Sequence, residues 1–288
     1  MRSAPLLGAI ALCFTLIACH RDPKPDADNV AIAPTGIEAQ VAALQGGNWR
    51  DAANVARDRY RHPAQTLAFF GVTPDMTVLE VWPGGGWYTE LLGPYLQARG
   101  QYVAIANDPA AATTDRNRDS WTEQNARLQA KVGARADVYG APRIALIDPK
   151  SPVLGDPGSA DAVLTFRNAH NWVMAGTEAD MFEAFYEVLK PGGVLGVVDH
   201  RARAGAAEAE MKTSGYLPEQ AVIAMAIRAG FVLEARSEIN ANPNDTADYP
   251  EGVWTLPPRL TLGDVDRDRY LAIGESDRMT LRFRKPRE

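Results

Sequence analysis

Four side chains in this sequence are suited to moving a proton or orienting a substrate: His170, Asn171, Asp199 and His200. Each pair follows an apolar run, 162–166 or 194–198, that reads as a buried strand. An imidazole at a strand end is a general base suited to neutral pH. Asn171 can orient a substrate. Asp199 stands beside His200, where a carboxylate fixes an imidazole tautomer. Adjacent strand residues point to opposite faces, so only one of that pair is expected in a pocket. A hydrogen-bonded structural role is the alternative for each histidine. His170, Asp199 and His200 also have metal-ligand chemistry, but no close-spaced ligand motif accompanies them, and no metal is expected.

A second constellation precedes these. Val78-Leu79-Glu80-Val81 runs into Trp82-Pro83-Gly84-Gly85-Gly86-Trp87-Tyr88-Thr89. It reads as a strand, a tight glycine turn and a helix over 87–97. Without Cβ atoms, Gly84, Gly85 and Gly86 let backbone approach a ligand closely, and N–H groups at the helix start can face it. A sharp turn with no ligand is the plainer alternative.

Strands and helices alternate from there. Strands are expected at 78–81, 101–106, 162–166, 194–198 and 231–239, with a third strand from either 136–139 or 144–147. Helices are expected at 37–44, 49–60, 65–70, 119–131, 178–189 and 218–229. Asn48 or Asp51 is a candidate cap for 49–60, and Thr177 for 178–189. Pro94 would shorten or kink the helix after the glycines. Residues 190–193 should stop the helix before them, and 278–284 alternates as a final half-exposed strand. The pattern predicts an α/β fold, a doubly wound, mostly parallel sheet with an N-terminal helical extension. Ligands bind such sheets at the strand carboxyl ends. Glu80 to Gly86, Asn107-Asp108, Asp148, Phe166 to His170 and Asp199-His200 all fall there. Arg57, Arg59, Arg61 and His62 form a basic cluster that could face an anion, or simply a solvated helix face. Asp264 to Glu275 has calcium-loop spacing, but Arg269 stands where that loop needs Gly. The Trp254 segment within the long excursion 240–277 is a candidate lid.

The chain has 288 residues and a net charge of −6. That acidity argues against nucleic acid as a partner. Arg2 and the apolar run 6–17 read as an export signal too short to span a bilayer. Leu16-Ile17-Ala18-Cys19 resembles the lipobox of bacterial lipoproteins. The resemblance implies cleavage after residue 18 and acylation of the Cys19 thiol. His20 in place of Asp then implies the outer membrane, with the domain facing the periplasm. The only other cysteine is Cys13, so the mature chain can form no disulfide. The expected organisation is a signal peptide at 1–18, a lipidated tether at 19–35 and one domain at 36–288.

Val78 to Thr89 resembles motif I of class I S-adenosylmethionine-dependent methyltransferases. Leu189-Lys190-Pro191-Gly192-Gly193-Val194-Leu195 resembles their loop before strand five. Phe166-Arg167-Asn168-Ala169-His170-Asn171-Trp172, Asp199-His200-Arg201 and Gly252-Val253-Trp254-Thr255-Leu256-Pro257 resemble a bacterial subgroup of that family. The resemblance implies a seven-stranded sheet whose last strand inserts antiparallel. It implies S-adenosylmethionine as cofactor and a small-molecule methyl acceptor. Glu80, Trp82, Pro83, Gly84, Gly85, Gly86, Asp108, Asp148, Phe166 and Arg167 are the cofactor-binding residues it suggests. Ala106 departs from the pattern, because family members usually hold the ribose with an acid at the end of strand two. The cofactor is made in the cytosol, which sits awkwardly with export. The first reading is therefore a small-molecule methyltransferase. The second is a non-catalytic envelope ligand-binding protein on the same fold. A third, weaker reading is an envelope hydrolase or lyase around His170 and Asp199.

Overall fold

The central strand is β1 (Thr77–Val81). Leu79 and Val81 enter one hydrophobic core while Val78 enters another, so both faces need cover. The computed structural model describes Met1 and residues 36–287. Apart from Met1, the expected signal peptide 1–18, Cys19 and the tether 19–35 lie outside the described residues.

Among the described residues, four helices precede β1: α1 (Gly36–Gln45), α2 (Ala52–Val55), α3 (Asp58–Arg61) and α4 (Pro63–Phe70). After β1 come α5 (Thr89–Leu96), β2 (Gln101–Asn107), α6 (Asp115–Ala134), α7 (Ala136–Tyr139) and β3 (Arg143–Ile147). The second half runs β4 (Ala160–Phe166), α8 (Ala169–Ala175), α9 (Glu178–Val188), β5 (Leu189–His200), α10 (Met211–Ser214) and α11 (Glu219–Arg228). It ends with β6 (Val232–Ser237), α12 (Arg267–Ile273) and β7 (Arg278–Arg284).

The sheet order is β3-β2-β1-β4-β5-β7-β6. β1 to β5 are parallel, and β7 is antiparallel to both β5 and β6. The chain winds outward from β1 to β3, then returns to β4 on the other side of β1. That reversal opens a crevice between the ends of β1 and β4. α8, α9 and α11 cover one face, around Trp172, Phe182 and Phe185. α1, α4 and α5 cover the other, around Leu67, Phe70, Leu91 and Leu92.

The expected helix at 49–60 is broken. Asp51 caps α2 by accepting from the Ala53 N–H at 2.8 Å. The Asn54 carbonyl accepts from the Trp87 indole at 2.9 Å, and a new turn begins at Asp58, bound by Arg50. Pro94 does sit inside α5. A proline leaves the carbonyl four residues earlier without its helical donor, and the Trp49 indole donates to that Glu90 carbonyl at 2.9 Å. The third strand comes from Arg143–Ile147, while Ala136–Tyr139 is helical, its Val138 and Tyr139 buried in a small cluster beside Trp49 and Ile144. The Thr177 hydroxyl makes no cap and has no hydrogen-bond partner. The helix does stop before residues 190–193, at Val188, but the strand starts at once instead of after the glycines. β5 begins at Leu189, and its register steps from Ala160 opposite Leu189 to Ala162 opposite Val194. β7 is not half-exposed. Met279, Leu281 and Phe283 are fully buried in one core, and Thr280 is fully buried on the other face. There Arg278 and Arg282 donate to the Tyr60 and Phe69 carbonyls, so the N-terminal extension covers the polar face that alternation assigned to solvent.

Candidate active site

One cavity of about 870 Å³ lies over the ends of β1, β4 and β5. The glycine turn forms one wall. Gly84 has φ +57°, a left-handed conformation glycine adopts without strain. A Cβ at Gly84 or Gly85 would meet no protein atom within 4 Å, and both residues line the cavity. Gly86 does not line it. A Cβ there would press on Lys131, Leu128 and Thr89 at 3.2–3.3 Å, so this glycine serves the packing of α6 rather than a ligand. Trp82 and Arg167 also have positive φ, +53° and +64°. Such conformations are costly for residues with side chains and concentrate at functional sites. Asn168 braces both turns. Its amide donates to the Val81 carbonyl at 2.9 Å and to the Thr165 hydroxyl at 3.2 Å.

Glu80 lies beneath the turn, 3% exposed. It faces the core of α5 and β2 because β1 alternates. The Tyr102 hydroxyl donates to it at 2.5 Å and the Thr89 hydroxyl at 3.3 Å. Burial outweighs both bonds and raises the carboxyl from 4.5 to about 7.

His170 belongs to the first turn of α8, an element the sequence reading did not anticipate. Asp199 accepts from His170 Nδ1 at 2.8 Å and from its backbone N–H at 3.1 Å. It also accepts from the His200 N–H at 2.7 Å and is fully buried. A carboxylate only accepts, so Nδ1 carries the hydrogen and Nε2 is left as the acceptor. Asp199 thus fixes the tautomer of His170, not of its neighbour. His170, Asn171 and His200 line the cavity and Asp199 does not, which agrees with the expectation that one of the adjacent pair enters. His200 Nδ1 is 2.5 Å from the Ser276 hydroxyl, and the two histidine rings are 5.0 Å apart. Burial, with His170 and Arg167 adding to it, pushes His200 well below the ordinary histidine range, so it is neutral.

Arg57, Arg61, Arg167 and Glu275 line the same cavity. Glu275 pairs with Arg57 at 2.6 Å, Arg61 at 3.1 Å and Arg278 at 2.9 Å. Burial alone would raise Glu275, but these guanidiniums and Arg167 hold it well below the carboxylate range. Burial lowers Arg167 to about 10 and Arg61 well below its usual value. Arg59 faces outward against Tyr60. Phe166 stacks on Tyr88 with centroids 3.6 Å apart and also lines the cavity. Val253, Trp254 and Leu256 to Arg259 overhang it, and the Trp254 ring lies 6.2 Å from His170.

Two expected ligand residues stand elsewhere. Asp108 accepts from the Ala110 N–H at 2.9 Å, and Asp148 from the Lys150 N–H at 2.9 Å. Both make local turns outside the cavity lining. Asn107 is instead the last residue of β2. Its Oδ1 is buried without a partner, in a small pocket shared with Trp82, Gly84 and Gln124. Glu275 and Ser276 were missed as site residues, because only long-range folding brings the start of β7 to α3 and β5. His170, Asp199 and His200 offer ligand atoms within 4.8 Å of one another, a spacing that suits a metal ion. Asp199 already accepts three hydrogen bonds. Three guanidiniums act on His200, which disfavours a dication there.

The seven-stranded sheet with β7 inserted antiparallel, and a glycine turn at its switch point, is the Rossmann-like methyltransferase fold. Solved structures share it. A methyltransferase dependent on S-adenosylmethionine from Aquifex aeolicus matches with a TM-score of 0.51 at 15% identity, over 86% of this chain and 98% of its own. A candidate sarcosine dimethylglycine methyltransferase from Galdieria sulphuraria matches with 0.54 at 14% identity, over 82% and 89%. The [4+2]-cyclase SpnF matches with 0.54 at 15% identity, over 87% and 93%. At these identities the likeness is one of fold, and the cyclase shows that the fold alone does not fix the reaction. No protein-family model and no curated protein matches the sequence.

Proposed function

We propose that this protein is an S-adenosylmethionine-dependent methyltransferase acting on a small molecule. One observation carries the reading: a single continuous cavity joins Gly84-Gly85 to the Asp199-anchored His170. The residues present fit the cofactor. Side chains at Gly84 or Gly85 would project into open cavity, so those glycines leave room for a ligand against the backbone. Trp82 Nε1 and Asn107 Oδ1 are buried polar atoms without partners beside the turn. Asn107 would accept from a ribose hydroxyl in place of the acid missing at Ala106. Glu80, behind the turn, would favour the cationic aminoacyl end. When bound, the cofactor supplies an electrophilic sulfonium methyl.

The remaining work falls to the protein. His170 Nε2 accepts the proton from the acceptor, and Asp199 stabilises the imidazolium that forms. Neutral His200 and Asn171 orient the acceptor. Trp254 and its neighbours restrict water. About 870 Å³ suits a cofactor with a small acceptor. We also infer, from residues 1–19 alone, an exported lipoprotein anchored through Cys19 with its domain facing the periplasm.

The test pairs two variants in calorimetric titration with S-adenosylhomocysteine. Gly84→Val should abolish binding, and His170→Ala should leave it intact while ending methyl transfer to any acceptor found with labelled cofactor. Unchanged binding in Gly84→Val would contradict the assignment of the turn.

A further inference from the structure

We infer that the methyl acceptor carries an anionic group of the carboxylate class, held by Arg57, Arg61 and Arg167 beside His170 and His200; this rests on the methyltransferase reading. Four guanidiniums converge here, counting Arg278, and one carboxylate, Glu275, is salt-bridged to three of them. The other nearby carboxylate, Asp199, is taken by His170. Arg57 Nη2 and Arg61 Nη2 are buried and have no hydrogen-bond partner. Arg61 is 3% exposed. Both residues line the cavity, and buried donors left unmade among the described residues are costly, so the pair is suited to an incoming acceptor. Arg167 reaches the cavity from a strained backbone at φ +64°. Planar guanidiniums match a carboxylate with paired hydrogen bonds. The group lies by the proton-transfer residues: Ser276, next to Glu275, contacts His200. Trp82, Tyr88, Phe166 and Trp254 offer aromatic walls for the body of the acceptor.

The same arginines could instead hold the carboxylate of the cofactor, and the experiment separates the two. Protein saturated with S-adenosylhomocysteine is titrated with phenylacetate and with the neutral phenylacetamide. Phenylacetate should bind at least about tenfold tighter, the range of a charge-assisted bond. Arg167→Gln should erase that preference and leave S-adenosylhomocysteine affinity within about twofold. Glu275→Gln, which frees the guanidiniums, should strengthen phenylacetate binding. Arg57→Gln, at a partly exposed position, gives a second readout should Arg167→Gln not fold. Equal binding of the two probes overturns the proposal. So does an Arg167→Gln variant that loses S-adenosylhomocysteine about tenfold while keeping the probe preference. If wild-type protein binds no S-adenosylhomocysteine, the methyltransferase reading fails separately. The probe pair on ligand-free protein then decides: a preference lost in Arg167→Gln retains the anion site, and no preference overturns it.

Discussion

Glu80→Gln should stabilise the protein, by an amount that grows as pH rises from about 4.5 to about 7 and then levels off. In the folded state burial lifts the Glu80 carboxyl from 4.5 to about 7. Between those values the folded state keeps a proton that the unfolded chain releases, so stability falls as pH rises. Each pKa unit corresponds to 1.36 kcal/mol, which makes the loss about 3 kcal/mol by pH 8. Glutamine mimics the protonated acid, and its carbonyl can accept from Tyr102 as Glu80 does. Two other groups bend the wild-type profile. Glu275, held low, withdraws stability only as pH falls below its unfolded value. His200, also held low, weakens the fold as pH drops below the ordinary histidine value. Both are common to variant and wild type, so the difference between the proteins isolates Glu80. Urea unfolding of each at pH 5 and pH 8.5 is the assay. The variant should lead by under about 1 kcal/mol at pH 5 and by about 3 kcal/mol at pH 8.5, the latter an upward shift in Tm of about 8 °C. A difference that is the same at both pH values, or a variant less stable at pH 8.5, would refute the reasoning.

Gly84→Val puts a branched side chain at φ +57° and into the cavity. A cost of about 1–2 kcal/mol in stability is expected with loss of cofactor binding, read by unfolding and calorimetry on one sample. Asp199→Asn keeps the shape but presents an amide to three N–H donors. About 1–3 kcal/mol should be lost, and the pH profile of methyl transfer should change because His170 loses its fixed tautomer. Cys19→Ser should abolish palmitate labelling in cells; unchanged labelling would contradict the lipid anchor.

The parts of the fold that were legible in the sequence have local causes. The run 78–89 contains a strand, its glycine turn and a helix start within a dozen residues. Apolar stretches placed β4 and β5, and helical spacing placed α9. What was not legible depends on distant partners. Alternation in 278–284 looked like an exposed face, yet the N-terminal extension supplies carbonyls to Arg278 and Arg282. Asp199 adjoins His200 in sequence, while the imidazole it binds is that of His170 on α8. Asp108 is the acid nearest to the position of the expected ribose acid, but β2 extends one residue further and ends on Asn107, in the small pocket beside Gly84. Glu275 had the spacing of a calcium ligand, and the chain uses it to neutralise arginines.

The central claim is that the cavity over Gly84-Gly85 binds S-adenosylmethionine. Calorimetric titration of the purified protein with S-adenosylhomocysteine tests it most directly. The account predicts saturable one-to-one binding that Gly84→Val removes. No heat of binding at millimolar ligand, from protein shown to be folded, would contradict it.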